Sequence, residues 1–300
     1  MFKYFMSFVK LIYQKLDKRR LLFPNGIPVV LEIENIKLKS DIFDAGGYDY
    51  YKSRKSYEEY ASKFYKLVDK AIRPSIILDI GANYGFISSI SAQRMPQAKV
   101  IAIEPSKKMI PYLKENLELN NVQDFKIINS VCGDIDADAH VFSINPSSSQ
   151  DNRVLAPKSN WTSKQVSMTC IDSVLKDCSP KDSIFIKIDT QGFEEKVFEG
   201  GMGFFRTHQN WIVKTEFAPN WLRSQHTDPK KLLDFFVENF DVAELPATIP
   251  FLTKHVDDLF RSKIDFESTT EFIAYIEKLS NNGLGWCDLI IRPKTGEREA

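Results

Sequence analysis

The sequence predicts an α/β fold built on a mostly parallel sheet, and two observations carry that expectation. From residue 75 onward, short apolar runs alternate with segments of helical character, as a parallel sheet with helical crossovers requires. Four of those runs close on a carboxylate: Asp79, Glu104, Asp189 and Glu216. Parallel strands share their carboxyl edge, and open α/β sheets bind ligands outside that edge. Four acids delivered to one edge are hard to explain by solubility alone.

The elements follow in order. Residues 1–74 form a preface: a helical start, a strand at Val29–Ile33, a turn at Gly46-Gly47, a charged helix near Tyr57–Ala71, and Pro74 as its close. The strand 76–80 then runs into Gly81-Ala82-Asn83-Tyr84-Gly85, a tight turn into a helix carrying Phe86, Ile87 and Ile90. After the strand 99–104 comes a helix with Met109, Leu113 and Leu117 on one face; Pro111 either kinks it or marks its first turn. A strand follows at 125–131.

Residues 141–182 are less regular. His140–Ile144 and Gln165–Thr169 read as paired strands around the polar loop Ser147–Arg153. The strand 183–188 leads into a helix ended by Gly200-Gly201, and another strand lies at 211–216. Asp228-Pro229 starts a helix with the acid as N-cap and proline in the first turn; its inner face is Leu232, Leu233, Phe236 and Val237. A strand at 240–244 precedes an insertion at about 246–285, where Ser268 and Glu271 have capping-box spacing and predict a helix over Glu271–Leu279. The last strand is 286–292. The domain reading is thus a preface over 1–74 and a main domain over 75–300 that contains the insertion.

Bulk properties narrow the function. Lysine plus arginine equals aspartate plus glutamate, 40 against 40, so no global field draws nucleic acid. Cys132, Cys170, Cys178 and Cys287 form no C-x-x-C pair and read as free thiols of a reducing, cytoplasmic compartment. Asn160-Trp161-Thr162 matches a glycosylation sequon and has no meaning there. No stretch is long and apolar enough to span a bilayer. Residues 1–20 place Phe2, Phe5, Met6, Val9, Ile12, Tyr13 and Leu16 at helical spacing among six basic residues. That helix either docks on its own domain or makes peripheral contact with an anionic membrane.

The site begins with Asp79, expected at the rim of the crevice, where a carboxylate suits an ammonium or a hydroxyl better than phosphates. Glu104 stands roughly 20 residues past the glycine turn, where a nucleotide-binding βαβ unit places its ribose-binding acid. The turn lacks the middle glycine that brings backbone close to a pyrophosphate. Asp79 with Glu104 therefore favours S-adenosylmethionine over a dinucleotide, against the plain alternative of a βαβ unit without a ligand.

Further stretches give the site a family resemblance. Leu78–Gly85, Ile103–Ser106, Leu113–Asn116 with Asn120–Val122, Met168–Leu175 and Lys187–Glu194 together resemble the FkbM-type S-adenosylmethionine-dependent methyltransferases over roughly residues 75–220. One departure is Gln191, where many members carry glutamate, which weakens any role needing a second charge beside Asp189, a metal site included. The resemblance implies a Rossmann-like class I methyltransferase fold, with a mostly parallel seven-stranded sheet and helices on both faces. It also implies O-methylation of a hydroxyl on a sugar, glycan or secondary metabolite. In that reading Asp79 and the turn with Gly81, Asn83 and Gly85 hold the methionine end. Glu104 takes the ribose, and Ser130, Val131 and Asp134 lie near adenine. A hydroxyl acceptor needs a base, and Asp189 or Glu216 is placed for it, with His140, His208, His226 and His255 as weaker candidates. No metal is called for. The rival readings are a nicotinamide-dependent oxidoreductase and a cofactor-binding but inactive scaffold. Neither 141–182 nor 246–285 carries a motif that identifies the acceptor.

Overall fold

The computed structural model describes residues 26–155, 161–247, 249–250 and 252–295, and of residues 54–62 only the backbone. The amphipathic segment at 1–20 and Asn160 of the sequon lie outside the described residues. The preface gives a hairpin, β1 (Pro28–Ile33) and β2 (Ile36–Asp41), and a long helix, α1 (Ala45–Ile72). The main sheet collects β3 (Ile76–Ile80), β4 (Lys99–Ile103), β5 (Phe125–Ile128), β9 (Ile184–Ile188), β10 (Trp211–Phe217), β11 (Phe240–Leu245) and β12 (Cys287–Pro293), in the order β11-β12-β10-β9-β3-β4-β5. All run parallel except β12, which pairs antiparallel with both β10 and β11. A smaller sheet holds β6 (Val131–Cys132), β7 (Ala137–Ile144) and β8 (Thr162–Thr169), so the expected pairing across the polar loop is present.

Helices cover both faces of the main sheet. On one side α1, α2 (Phe86–Arg94) and α3 (Ile110–Leu119) pack Tyr65, Val68, Ile90 and Leu113 into a core with Ile77, Phe185, Ile212 and Ile290. On the other side lie α4 (Ile171–Val174), α5 (Glu194–Glu199), α6 (Met202–Thr207), α7 (Pro219–Ser224), α8 (Pro229–Asn239) and α9 (Thr269–Lys278). They bury Phe198, Phe205, Leu222, Phe236 and Ile276 against Leu78, Ile186 and Val213. Alternate residues of each strand feed opposite cores, which is why these strands read as continuous apolar runs. Among the described residues, no helix is long and apolar enough to cross a membrane. The four cysteines form no disulfide.

Several expectations change. The strand at 125–131 splits: β5 stops at Ile128, and the chain passes through Ser130 into β6, which pairs with β8 instead. Gly46 and Gly47 are not a turn between elements but the first turn of α1, where the Asp44 carboxylate accepts from the Gly47 N–H at 3.0 Å. The helix therefore starts well before Tyr57. Pro111 sits in the first turn of α3, where its missing N–H costs nothing. The capping box of the insertion is one turn earlier than expected: Asp265 and Ser268 cap each other, and Ser268 makes no side-chain cap for α9. The Asp228 cap stands, accepting from the Lys230 N–H at 2.9 Å.

Candidate active site

A row of buried charges crosses the centre of the sheet. Register sets Asp79 of β3 opposite Lys187 of β9, and Lys187 opposite Lys214 of β10. Like charges directly opposite repel, so each lysine needs an acid. Lys187 Nζ lies 3.6 Å from Asp79 Oδ1 and 3.3 Å from Asp189 Oδ2, and donates to the Gly81 carbonyl at 3.2 Å. Lys214 pairs with Asp288 at 2.8 Å. The Lys187 ammonium is held well above its ordinary value; burial opposes this, but Asp189 and Asp79 outweigh it.

Asp79 is therefore not at a rim. It is 0 % exposed, accepts from the Ser88 hydroxyl at 2.5 Å, and does not border the cavity described below. The alternation of β3 turns its side chain under the turn, toward α2, rather than outward. Gly81 follows with φ +78°, and a Cβ there would stand 2.0 Å from the Asp189 carbonyl, so the ends of β3 and β9 meet only through a glycine. Gly85, expected at the methionine end, does not border that cavity; its missing Cβ admits Leu113 of α3, so it brings two helices together.

Glu104, just past β4, is 5 % exposed and borders the cavity. Its two oxygens accept backbone N–H groups of Ser106 and Asn83, each at 2.8 Å. Burial is the largest influence and pushes its carboxyl up to about 7, while the two N–H groups and Lys187 pull the other way. Each oxygen keeps a lone pair for a further donor. Because the folded value exceeds the unfolded one, Glu104 favours the fold most fully below the ordinary carboxylate range. That contribution is lost as pH rises through about 7.

Past β9 the chain turns sharply through Thr190-Gln191-Gly192, and the buried Glu194 at the start of α5 holds that turn by accepting from the Thr190 N–H at 2.9 Å and its hydroxyl at 3.0 Å. Gln191, in the left-handed region at φ 59°, donates its amide to Asp189 Oδ1 at 2.8 Å and Glu216 Oε2 at 3.3 Å. One neutral amide thus joins the two candidate bases. Their proton affinities diverge. Burial would raise Asp189, but Lys187, Gln191 and Lys214 hold it below the usual carboxylate range. Burial and then the charges of Asp189, Glu194 and Asp288 raise Glu216 well above it.

These groups border one cavity of about 710 Å³ at the carboxyl edge. Gly81, Asn83, Glu104, Ser130 and Val131 line one part; Asp189, Gln191, Lys214, Glu216 and Asp288 line another. Asp134 does not border it, because the chain, having left the main sheet at Ile128, carries Asp134 to a 3.2 Å ion pair with Lys196 of α5. None of the four histidines lines it either; His208, for one, stacks on Phe204 at 4.5 Å. Sequence reasoning missed Lys187, Lys214, Tyr50 and Tyr65. The lysines had a signal: each stands two residues before the acid that closes its strand, between buried chain neighbours. The tyrosines had none, since they come from a helix far away in the chain.

The arrangement places a buried carboxylate with spare lone pairs at one part of the cavity and two carboxylates of divergent proton affinity at another. A family model for the FkbM methyltransferase domain matches residues 79–262. Among solved structures, a methyltransferase FkbM from Methylobacillus flagellatus KT aligns at 12% identity and TM-score 0.41, covering 73% of this chain and 44% of that one. The chain thus spans less than half of that protein. A precorrin-6y C5,15-methyltransferase from Geobacter metallireducens GS-15 aligns at 12% identity and TM-score 0.40, covering 78% and 87%. The plantazolicin methyltransferase BpumL, in complex with SAH, aligns at 11% identity and TM-score 0.40, covering 82% and 88%. No curated protein matches the chain.

Proposed function

The chain belongs to the FkbM methyltransferase family, whose cofactor is S-adenosylmethionine, and from that premise we propose that it methylates a hydroxyl oxygen of a small molecule such as a sugar or secondary metabolite. One observation carries the hydroxyl: Asp189 and Glu216, joined by the Gln191 amide, have opposite proton affinities. A hydroxyl must lose its proton as it is alkylated, and two acids whose environments push their pKa values apart suggest divided roles.

The cavity fits the donor. Glu104 has lone pairs for the two ribose hydroxyls, and Ser130 and Val131 border the space on the same side for adenine. Gly81 and Asn83 line the floor toward the methionine end. Asp79 acts there through Lys187, which it holds against the Gly81 carbonyl, rather than by touching the ligand. When bound, S-adenosylmethionine supplies an electrophilic methyl group on a sulfonium. What remains for the protein is placement and proton transfer. Asp189 stays ionised beside Lys187 and accepts a hydrogen bond that orients the acceptor. Glu216, the stronger base of the two, takes the hydroxyl proton onto its carboxylate.

The donor half has a direct test. Glu104→Ala should weaken S-adenosylmethionine binding by roughly 1.5–3 kcal/mol, the range for hydrogen bonds to a charged group. In the parent, only the ionised carboxylate accepts both hydroxyls. Affinity should therefore rise about tenfold between pH 6 and 8, as Glu104 loses its proton near 7, and level off above. Titration calorimetry reads both, and NAD in the same cell should give no heat. Unchanged affinity in the folded variant, with a flat pH profile, would remove Glu104 from the ribose.

A further inference from the structure

The floor of the cavity contains a hydroxyl that the donor site does not use. Tyr65 of α1 borders the space, is 0 % exposed, and its phenolic oxygen has no hydrogen-bond partner among the described residues. Its ring is fixed edge-on against Phe64 and Phe185, at 5.3 and 5.7 Å between centroids. The hydroxyl lies within electrostatic reach of Asp288, Asp79 and Tyr50. Buried hydroxyls are almost always paired, and one left open against a cavity calls for a partner inside it.

The walls around that hydroxyl say what kind of partner. Glu216, Glu244 and Asp288, from three neighbouring strands, border the same space with Trp286, a residue that is 51 % exposed. The cations there are already engaged: Lys187 with Asp79 and Asp189, Lys214 with Asp288. No arginine is among the described lining residues. An anionic group entering this compartment would lose its water and meet carboxylates instead of an open cation. Hydroxyls have the opposite fit, since carboxylates accept from them and the indole face covers a C–H surface.

Resting on the methyltransferase reading above, we propose that the compartment between α1 and β12 is the acceptor subsite, that Tyr65 binds the acceptor through its hydroxyl, and that the subsite takes uncharged hydroxyl-bearing molecules and refuses phosphorylated or carboxylated ones. Glu244 sets the refusal at the far wall, away from the base, and Trp286 covers the acceptor at the mouth.

The test uses the full chain loaded with S-adenosylhomocysteine, probed by saturation-transfer NMR. The panel is methyl hexopyranosides and methyl 6-deoxyhexopyranosides, set against the matching 6-phosphates and uronates. Uncharged members should bind and the anionic ones should not. Tyr65→Phe, which keeps the ring and its packing, should weaken the uncharged binders by about five- to tenfold, as expected for one hydrogen bond, with donor affinity unchanged. Glu244→Lys should admit the 6-phosphates. Equal binding of the anionic members, full binding to Tyr65→Phe, or no uncharged binder at all would each overturn the proposal. Failure of S-adenosylmethionine itself to bind would instead strike the methyltransferase reading, and calorimetry on the same sample separates the two.

Discussion

Glu216→Gln is expected to lower turnover by about 10²–10⁴-fold, the usual contribution of a general base, while donor affinity stays near that of the parent. Glutamine keeps the size of the side chain and an acceptor for the Gln191 amide, but it cannot take a proton. The argument rests on the environment of the carboxyl. Burial and the neighbouring Asp189, Glu194 and Asp288 raise its proton affinity, so Glu216 is the better base once ionised. It must first lose its own proton. The parent's rate should therefore rise with pH through the range where Glu216 ionises, and Glu216→Gln should lose that limb. Asp189→Asn gives the contrast. Lys187 holds Asp189 ionised and weakly basic, so its loss should raise acceptor KM along with lowering kcat, and keep the pH limb but move it to lower pH, because the Asp189 charge no longer raises Glu216. Methyl transfer to an uncharged acceptor panel, followed by S-adenosylhomocysteine release across pH, measures all three. A pH limb that survives in Glu216→Gln and vanishes in Asp189→Asn would move the base to Asp189.

Lys187→Met should destabilise the fold by about 3–5 kcal/mol, the cost of stripping a buried charge of its partner. Methionine fills the volume but leaves Asp79 buried, with the Ser88 hydroxyl as its one remaining hydrogen-bond donor among the described residues. It also frees the Gly81 carbonyl that Lys187 ties down. The lysine side chain is 7 % exposed, so solvent does little to soften the loss. The pH dependence follows from the direction of each shift. In the parent, the pair of Lys187 raised and Asp189 lowered is intact across neutral pH. The Asp189 part is lost as pH falls through its depressed value, and the Lys187 part only in strong alkali. In the variant Asp189 lacks the partner that depresses it, so the gap between parent and variant should be widest at neutral pH and narrow as acid protonates Asp189. Urea unfolding across pH reads it. A gap that does not narrow in acid, or one below about 1 kcal/mol at neutral pH, would mean that Lys187 does not hold the buried acids.

Much of this protein was legible in local pattern. Apolar runs broken at glycine and acid placed the strands of the main sheet, because strands buried on both faces lack the alternating polar positions of a one-sided strand. Asp228 and Pro229 marked a helix start through their own chemistry. The carboxylates of Glu104, Asp189 and Glu216 reach one cavity because parallel strands point their ends the same way. Where local pattern misled, a distant partner had intervened. β5 ended early because the next residues found β8, and Ser268 was drawn into a cap with Asp265.

By itself the sequence determined the α/β architecture, the order of its strands along the chain, and the edge at which the acids collect. These follow from short-range periodicity and from the shared direction of parallel strands. Only the tertiary structure decided what each acid can do. The pleat turned Asp79 inward onto Lys187, so a residue expected at the rim became a buried support for the glycine turn. The departure of the chain after Ile128 took Asp134 out of the site and gave it to Lys196. Register across the central strands, together with the two-residue spacing of Lys187 and Asp189 on one face, set the lysines among acids, and burial with those charges drove Asp189 and Glu216 apart in proton affinity. Burial and charge proximity act through space, and Tyr65 reaches this site from a helix that precedes the first strand of the main sheet.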